Sequence, residues 1–255
     1  MLNVILVPIY TGVMLPGSYG QVVVIYAYFA IFNIFLAYGM ETAFFRFYKD
    51  SENKKKVVST SLLSILGSTM IFMIIGLLFK SSLSQFLEIS IDYIGYVFWI
   101  LALDALVIIP FAWLRANERP MRFAIIKLIS VVLNLGLNFF FLILLPKLAI
   151  DNEGFLASIY KADYEILYIL ISNLASSAVT LLLMLRVYLR RPYVFDIDIW
   201  KRMIKYAMPV MIAGIAFTVN EVLDKILLEK ILPVEIASEE VGKYGACVKL
   251  AVFMT

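Results

Sequence analysis

Six apolar runs of roughly 20 residues or more dominate the chain: Val22 to Phe45, Val57 to Phe79, Ile91 to Leu114, Phe123 to Pro146, Ile166 to Arg186 and Met203 to Leu228. A helix rises about 1.5 Å per residue, so each run matches a hydrocarbon core roughly 30 Å thick. Within such a core every backbone N–H and C=O must find its partner inside the protein, which leaves only helices or closed barrels. Continuous runs of this length select helices, because barrel strands alternate and stop after about ten residues. The chain therefore reads as an all-α polytopic membrane protein. An apolar stub, Leu2 to Ile9, is too short to span, and a seventh, partial run begins near Gly245. Parts of eight helices are predicted.

Composition agrees, with 63% hydrophobic and 16% charged residues and a mean hydropathy of +0.93. It also excludes several chemistries. The single cysteine, Cys247, permits no intrachain disulfide, and the absence of histidine removes His-metal sites, Ser-His-Asp machinery and a histidine proton relay. No cofactor or metal is called for, and the net charge of +3 does not point to nucleic acid. The opening "MLNVILVPIYTG" lacks the basic n-region of a signal peptide and reads as the tail of a longer helix.

Basic residues are distributed unevenly between alternate loops. Arg46, Lys49, Lys54, Lys55, Lys56, Arg115, Arg119, Arg122, Arg186, Arg190, Arg191, Lys201, Arg202 and Lys205 fall in one set, against Lys80, Lys147, Lys161, Lys230 and Lys243 in the other. Fourteen against five places the loops 46–56, 115–122 and 187–202 in the cytoplasm. The opposite loops are short, and the longest, about Lys147 to Tyr164, is too small for a folded domain.

The two ends of the chain resemble each other. Sliding "ILVPIYTGVMLPGSYGQVVVIYA" by 225 residues onto "KILPVEIASEEVGKYGACVKLAV" superposes Pro8 on Pro233, Gly17 on Gly242, Tyr19 on Tyr244 and Gly20 on Gly245. Helices seven and eight then repeat one and two, and an even number of helices per lobe makes the repeats parallel. This predicts an N-terminal lobe at 1–186, a cytoplasmic linker at 187–202 and the start of a second lobe at 203–255. Most of the first helix and of the second lobe are expected to lie outside the chain, which reads as an N-terminal half.

Polar residues within the runs fall in patterns. Lys127, Ser130, Asn134 and Asn138, spaced by three, four and four, form one stripe that cannot face lipid. Asp104 sits mid-helix, about 16 Å along the axis from Arg115 and too far to pair with it. Ser172, Asn173, Ser176, Ser177 and Thr180 make one small-residue face, and Ser61, Ser64, Gly67 and Ser68 another. These faces suit close helix packing or substrate contact. Arg46, Arg115 and Arg186 read either as snorkelling anchors or as ligands, and Asn134 and Asn138 either as interhelical hydrogen-bonders or as cavity residues. In "TVNEVLDKILLEKILP", Lys225 lies four residues after Glu221 and can neutralise it, which leaves Asp224 needing a partner. A charge at the bilayer centre costs about 2.5 to 3.5 kcal/mol, so Asp104, Glu221 and Asp224 point to a hydrated cavity or a buried pair. Pro209 frees a backbone carbonyl in the same helix, which suits a bending element.

The order and spacing of "LVPIYTGVMLPGSYG", "YGMETAFFRF", "LDALVIIPFAWLRANERPMRFAIIKL" and "YAMPVMIAGIAFTVNEVLDKILL" followed by "VGKYGACVKLA" resemble the polysaccharide-export, Wzx-type oligosaccharide flippase family of the multidrug/oligosaccharidyl-lipid/polysaccharide superfamily. The resemblance implies two six-helix lobes around a cavity in the plasma (inner) membrane. It also implies transport of undecaprenyl-diphosphate-linked sugar units between leaflets for surface polysaccharides such as O-antigen or capsule. By position it brings forward Glu41, Arg46, Asp104, Arg115, Lys127, Asp224 and Lys225, the cations suiting diphosphate and the carboxylates a Na+ or H+ coupling. A multidrug or cation-coupled exporter shares the fold. A membrane-embedded polymerase or ligase shares the substrate, but the outer loop bearing acid/base residues that such an enzyme needs is missing, so no enzyme is expected.

Overall fold

A computed structural model describes residues 2–51, 53–151, 160–161, 164–189 and 193–254. Arg190, Arg191 and most of the segment between Lys147 and Tyr164 lie outside the described residues. All regular structure among the described residues is helical. The helices are α1 (Leu2–Val13), α2 (Pro16–Ala37), α3 (Met40–Asp50), α4 (Lys54–Leu78), α5 (Lys80–Leu87), α6 (Ile91–Ala116), α7 (Pro120–Phe139), α8 (Leu145–Asp151), α9 (Glu165–Leu189), α10 (Ile197–Ile231) and α11 (Val234–Met254). A π-helical turn, Phe140–Leu144, joins α7 to α8 just ahead of Pro146, whose missing N–H cannot continue the α-helical ladder.

Five segments are long and apolar enough to cross a membrane: Pro16–Asp50, Lys54–Leu78, Ile91–Ala116, Pro120–Ala149 and Glu165–Leu189. They match the first five predicted spans within a few residues at most ends. The sixth prediction, Met203 to Leu228, falls in α10, a helix of 35 residues that is not among the five. Pro209 sits within it without ending it.

The first predicted span differs in detail, being interrupted at Tyr38 and Gly39. Tyr38 has φ 31° and Gly39 φ 69°, a left-handed step that breaks the ladder between α2 and α3. A Cβ at Gly39 would lie 2.5 Å from the Ala207 carbonyl oxygen. Only glycine therefore allows both the turn and this approach of α10.

The chain forms two compact units, Met1–Tyr28 with Val131–Ala175 and Glu221–Thr255, and Phe29–Ser130 with Ser176–Asn220. In the second unit α3, α4, α6 and α10 bury Phe44, Val58, Leu62, Ile65, Ile109 and Met203 against one another. Hydroxyls of α4 hold the chain leading into α10. Ser59 Oγ accepts from the Val194 N–H at 2.7 Å, Thr60 Oγ1 from the Asp196 N–H at 3.1 Å, and Ser64 Oγ from the Trp200 indole at 2.8 Å. Asp196 caps α10 by accepting the Asp198 and Ile199 N–H groups at 3.2 and 3.1 Å. The Ile199 N–H chiefly, with the Lys56 ammonium at 3.3 Å, holds the Asp196 carboxyl below its ordinary pKa. Exposed Met70, Ile71, Ile74, Ile75 and Leu78 on α4 form the apolar face a spanning helix turns to lipid.

In the first unit α2 and α11 meet through glycines. A Cβ on Gly20 would collide with the Ser238 carbonyl, and one on Gly242 with the Pro16 carbonyl, whereas Gly17 has nothing within 4 Å. Close small-residue contacts of this kind are how membrane helices gain dispersion energy where lipid removes the hydrophobic drive. Gly242 and Gly245 are the residues that the repeat superposes on Gly17 and Gly20. Tyr168 stacks on Phe141 with centroids 5.4 Å apart.

Candidate functional site

In the second unit the ionisable residues acquire specific partners. The Ser177 hydroxyl on α9 donates to Asp104 Oδ1 on α6 at 2.7 Å. Lys127 Nζ stands 4.8 Å from the centroid of Phe111, an attraction to the ring face of order 0.5–1 kcal/mol at an exposed position. Glu41 and Arg115 form an ion pair. The Arg115 guanidinium also lies over the rings of Phe45 and Phe123, at 5.1 and 5.2 Å. Arg46 covers the ring of Tyr206 at 4.5 Å. Planar guanidinium suits such stacking.

One turn of chain organises this unit's basic end. The Glu118 N–H donates to the Arg115 carbonyl at 3.2 Å and the Arg119 N–H to the Leu114 carbonyl at 3.0 Å, the double pattern of a Schellman cap with Glu118 left-handed at φ 53°. Asn117 pins the turn by donating to the Trp113 carbonyl at 2.8 Å and accepting the Tyr48 hydroxyl at 3.0 Å. The cap sends the chain into α7 and sets Arg119 and Arg122 beside Trp113. Together with Lys55 and Arg186 these residues line a cavity of about 660 Å³. Its remaining wall is apolar and includes Leu114, Ile126 and Met184.

The stripe predicted along the fifth helix divides by partner. Ser130, in the second unit, bonds Ser176 at 2.9 Å. In the first unit Asn134 and Asn138 are both buried. Asn138 donates to the Asn134 carbonyl and side-chain oxygens at 2.8 and 3.0 Å and accepts the Tyr10 hydroxyl at 3.0 Å. These contacts link α7 to α1 as interhelical hydrogen bonds.

The charged segment of α10 differs from expectation. Lys225 pairs with Asp224, not Glu221, at 3.1 Å, and reaches Glu221 only through its backbone carbonyl at 2.7 Å. The Glu221 side chain points to an exposed position instead of closing the i,i+4 pair. Asp224 completes its shell with the Tyr244 hydroxyl of α11 at 2.7 Å. Further along α11, Lys249 Nζ donates to the Tyr19 hydroxyl at 3.1 Å and lies 5.3 Å from its ring centroid.

A family model for polysaccharide biosynthesis proteins matches residues 1–255. The chain belongs to this family. No curated protein and no solved structure matches it. As a polysaccharide biosynthesis protein of the Wzx-type flippase family, it is an all-α, multi-pass membrane protein related to transport. Among the described residues no three carboxylate or thiol side chains gather as a metal-binding group.

Sequence reasoning in this polysaccharide biosynthesis protein passed over Lys249 and Tyr10 and used Tyr19 only in the repeat, because a lysine near the end of the chain and tyrosines ahead of the first complete apolar run carry no periodic signal. It counted Lys55, Arg119 and Arg122 only as loop charge and read Arg186 as an anchor or a ligand. Their convergence is a property of helix packing, although the basic, tryptophan-flanked "WLRANERPMR" was the available clue.

Proposed function

We propose that this protein belongs to a transporter that moves undecaprenyl-diphosphate-linked oligosaccharide from the cytoplasmic to the outer leaflet of the plasma membrane by alternating access. The observation that carries this reading is the setting of Asp104 and Lys127. Lipid rejects isolated charges at this depth, yet Asp104 accepts the Ser177 hydroxyl at 2.7 Å while Lys127 stands over the ring of Phe111 and attracts Asp104 electrostatically. A carboxylate and an ammonium kept on α6 and α7 without a mutual hydrogen bond suit a hydrated path for an anionic diphosphate. Arg46 and Arg115 supply further cations, and Asp104 and Asp224 carry any coupling to Na+ or H+. In this reading residues 1–186 form the first lobe and 203–255 begin the second, with loops 46–56, 115–122 and 187–202 in the cytoplasm.

The test replaces Arg46 or Lys127 with alanine in cells that depend on this gene for surface polysaccharide. Display should fall while membrane abundance holds, and lipid-linked sugar should accumulate on the inner leaflet. Normal display by both variants removes the diphosphate-contact reading. Efflux of small cationic dyes with unchanged polysaccharide would favour an exporter of the same fold. A reporter fused after Lys56 should score cytoplasmic.

A further inference from the structure

The cavity lined by Lys55, Arg119, Arg122 and Arg186 takes no part in the transport reading, and it is chemically unusual. The four cations come from four places in the second unit: the first turn of α4, the α6–α7 turn, the first turn of α7 and the last turn of α9. Neighbouring cations have found protein partners, Lys56 with Asp196 and Arg115 with Glu41. Among the described residues none of these four forms an ion pair, Arg119 lying instead over the Trp113 ring at 5.8 Å, and no carboxylate lines the cavity. Glu118, next in sequence to Arg119, is not part of its wall. Lys55 and Arg122 also stand near the positive ends of their helix dipoles, which adds to the repulsion. Like charges gathered in this way raise the energy of the empty site and favour an anion that bridges them.

The rest of the wall narrows the choice. Trp113 and the apolar side chains Leu114, Ile126 and Met184 face the same space, so the occupant must bring both an anionic and an apolar part. Tryptophan favours this boundary between headgroup and hydrocarbon. A volume of about 660 Å³ is within the range of small-molecule sites. A soluble phosphate would leave the apolar wall without a partner.

We infer that this cavity binds the anionic phosphate headgroup of a membrane lipid. The phosphate bridges the three arginines and Lys55, and the first apolar segment of the lipid lies against Trp113 and Met184. Neither Asp104 nor Lys127 lines the cavity, and lipid binding there does not require the transport reading.

Lipid retention tests this directly. The full chain is released from membranes mixing zwitterionic phosphatidylcholine with phosphatidylglycerol, and native mass spectrometry counts the lipid that stays bound. Wild type should retain phosphatidylglycerol in preference to phosphatidylcholine. The triple variant Arg119→Gln, Arg122→Gln, Arg186→Gln should lose this preference about tenfold. The triple lysine replacement at the same positions should recover most of it, which excludes misfolding as the cause. Neutralising Lys49, Lys201 and Arg202 instead should change nothing. Undecaprenyl phosphate in place of phosphatidylglycerol distinguishes a cargo lipid from a bulk one, and inorganic pyrophosphate tests a soluble anion. Unchanged preference in the triple glutamine variant, equal loss in the control variant, or retained pyrophosphate without retained lipid would each overturn the inference.

Discussion

The hydroxyl of Ser177 on α9 donates to the carboxylate of Asp104 on α6 at 2.7 Å, so the one acidic side chain in the middle of α6 is tied to the small-residue face of its neighbour. Removing the acceptor leaves the hydroxyl unsatisfied among buried atoms. Asp104→Ala should destabilise the protein by about 1–3 kcal/mol and Ser177→Ala by about 1 kcal/mol. Asp104→Asn, which can still accept the bond, should cost less than Asp104→Ala. Thermal unfolding of the purified variants in one detergent gives the order, and equal stability of all three would show that the contact is dispensable.

The glycines of α2 and α11 offer a sharper contrast. Gly20→Ala and Gly242→Ala each drive a methyl into a backbone carbonyl of the facing helix and should cost about 1–3 kcal/mol through forced separation. Gly17→Ala meets open space and should be neutral or gain up to about 1 kcal/mol from helix propensity. Expression level and melting temperature would separate the three. A Gly17 variant as damaged as the others would contradict the packing described.

Glu118 holds a left-handed conformation at the C′ position of α6, where glycine is the usual residue. Glu118→Gly should therefore raise stability by about 1 kcal/mol and leave lipid retention by the neighbouring cavity unchanged. A lower melting temperature would mean that the Glu118 side chain makes contacts of its own.

Asp196 predicts a pH dependence. Its folded-state pKa lies below the ordinary value, chiefly through the Ile199 N–H it accepts and further through Lys56. A depressed carboxyl pKa stabilises the fold fully above the unfolded value, about 3.9, and loses that contribution as pH falls through the folded value. Asp196→Asn keeps the cap and gives up the ion pair. The wild-type advantage over this variant should be present at neutral pH and fade on acidification through the range below pH ~4. A constant difference across that range would show that the charge of Asp196 contributes nothing.

The apolar runs by themselves determined that α4, α6, α7 and α9 exist, roughly where along the chain they lie, and that the chain spans a membrane. Those features follow from length and hydropathy, which are one-dimensional. The sequence also put Lys127, Ser130, Asn134 and Asn138 on one face that lipid disfavours, because 3.6-residue periodicity fixes which side chains share a face. It could not say what lies opposite that face: the fold buries Asn134 and Asn138 and leaves Lys127 exposed. Whether Lys225 meets Glu221 or Asp224 depended on a rotamer that the Tyr244 hydroxyl of α11 helps to fix. The break at Gly39 depended on how closely α10 approaches, and the gathering of Lys55, Arg119, Arg122 and Arg186 on the Schellman turn at Glu118 and the packing of α4, α6, α7 and α9. Periodicity specifies a helix and its faces, but the rotation and separation of neighbouring helices are set by close contact between small side chains and backbone. Only that contact decided which charges share a compartment.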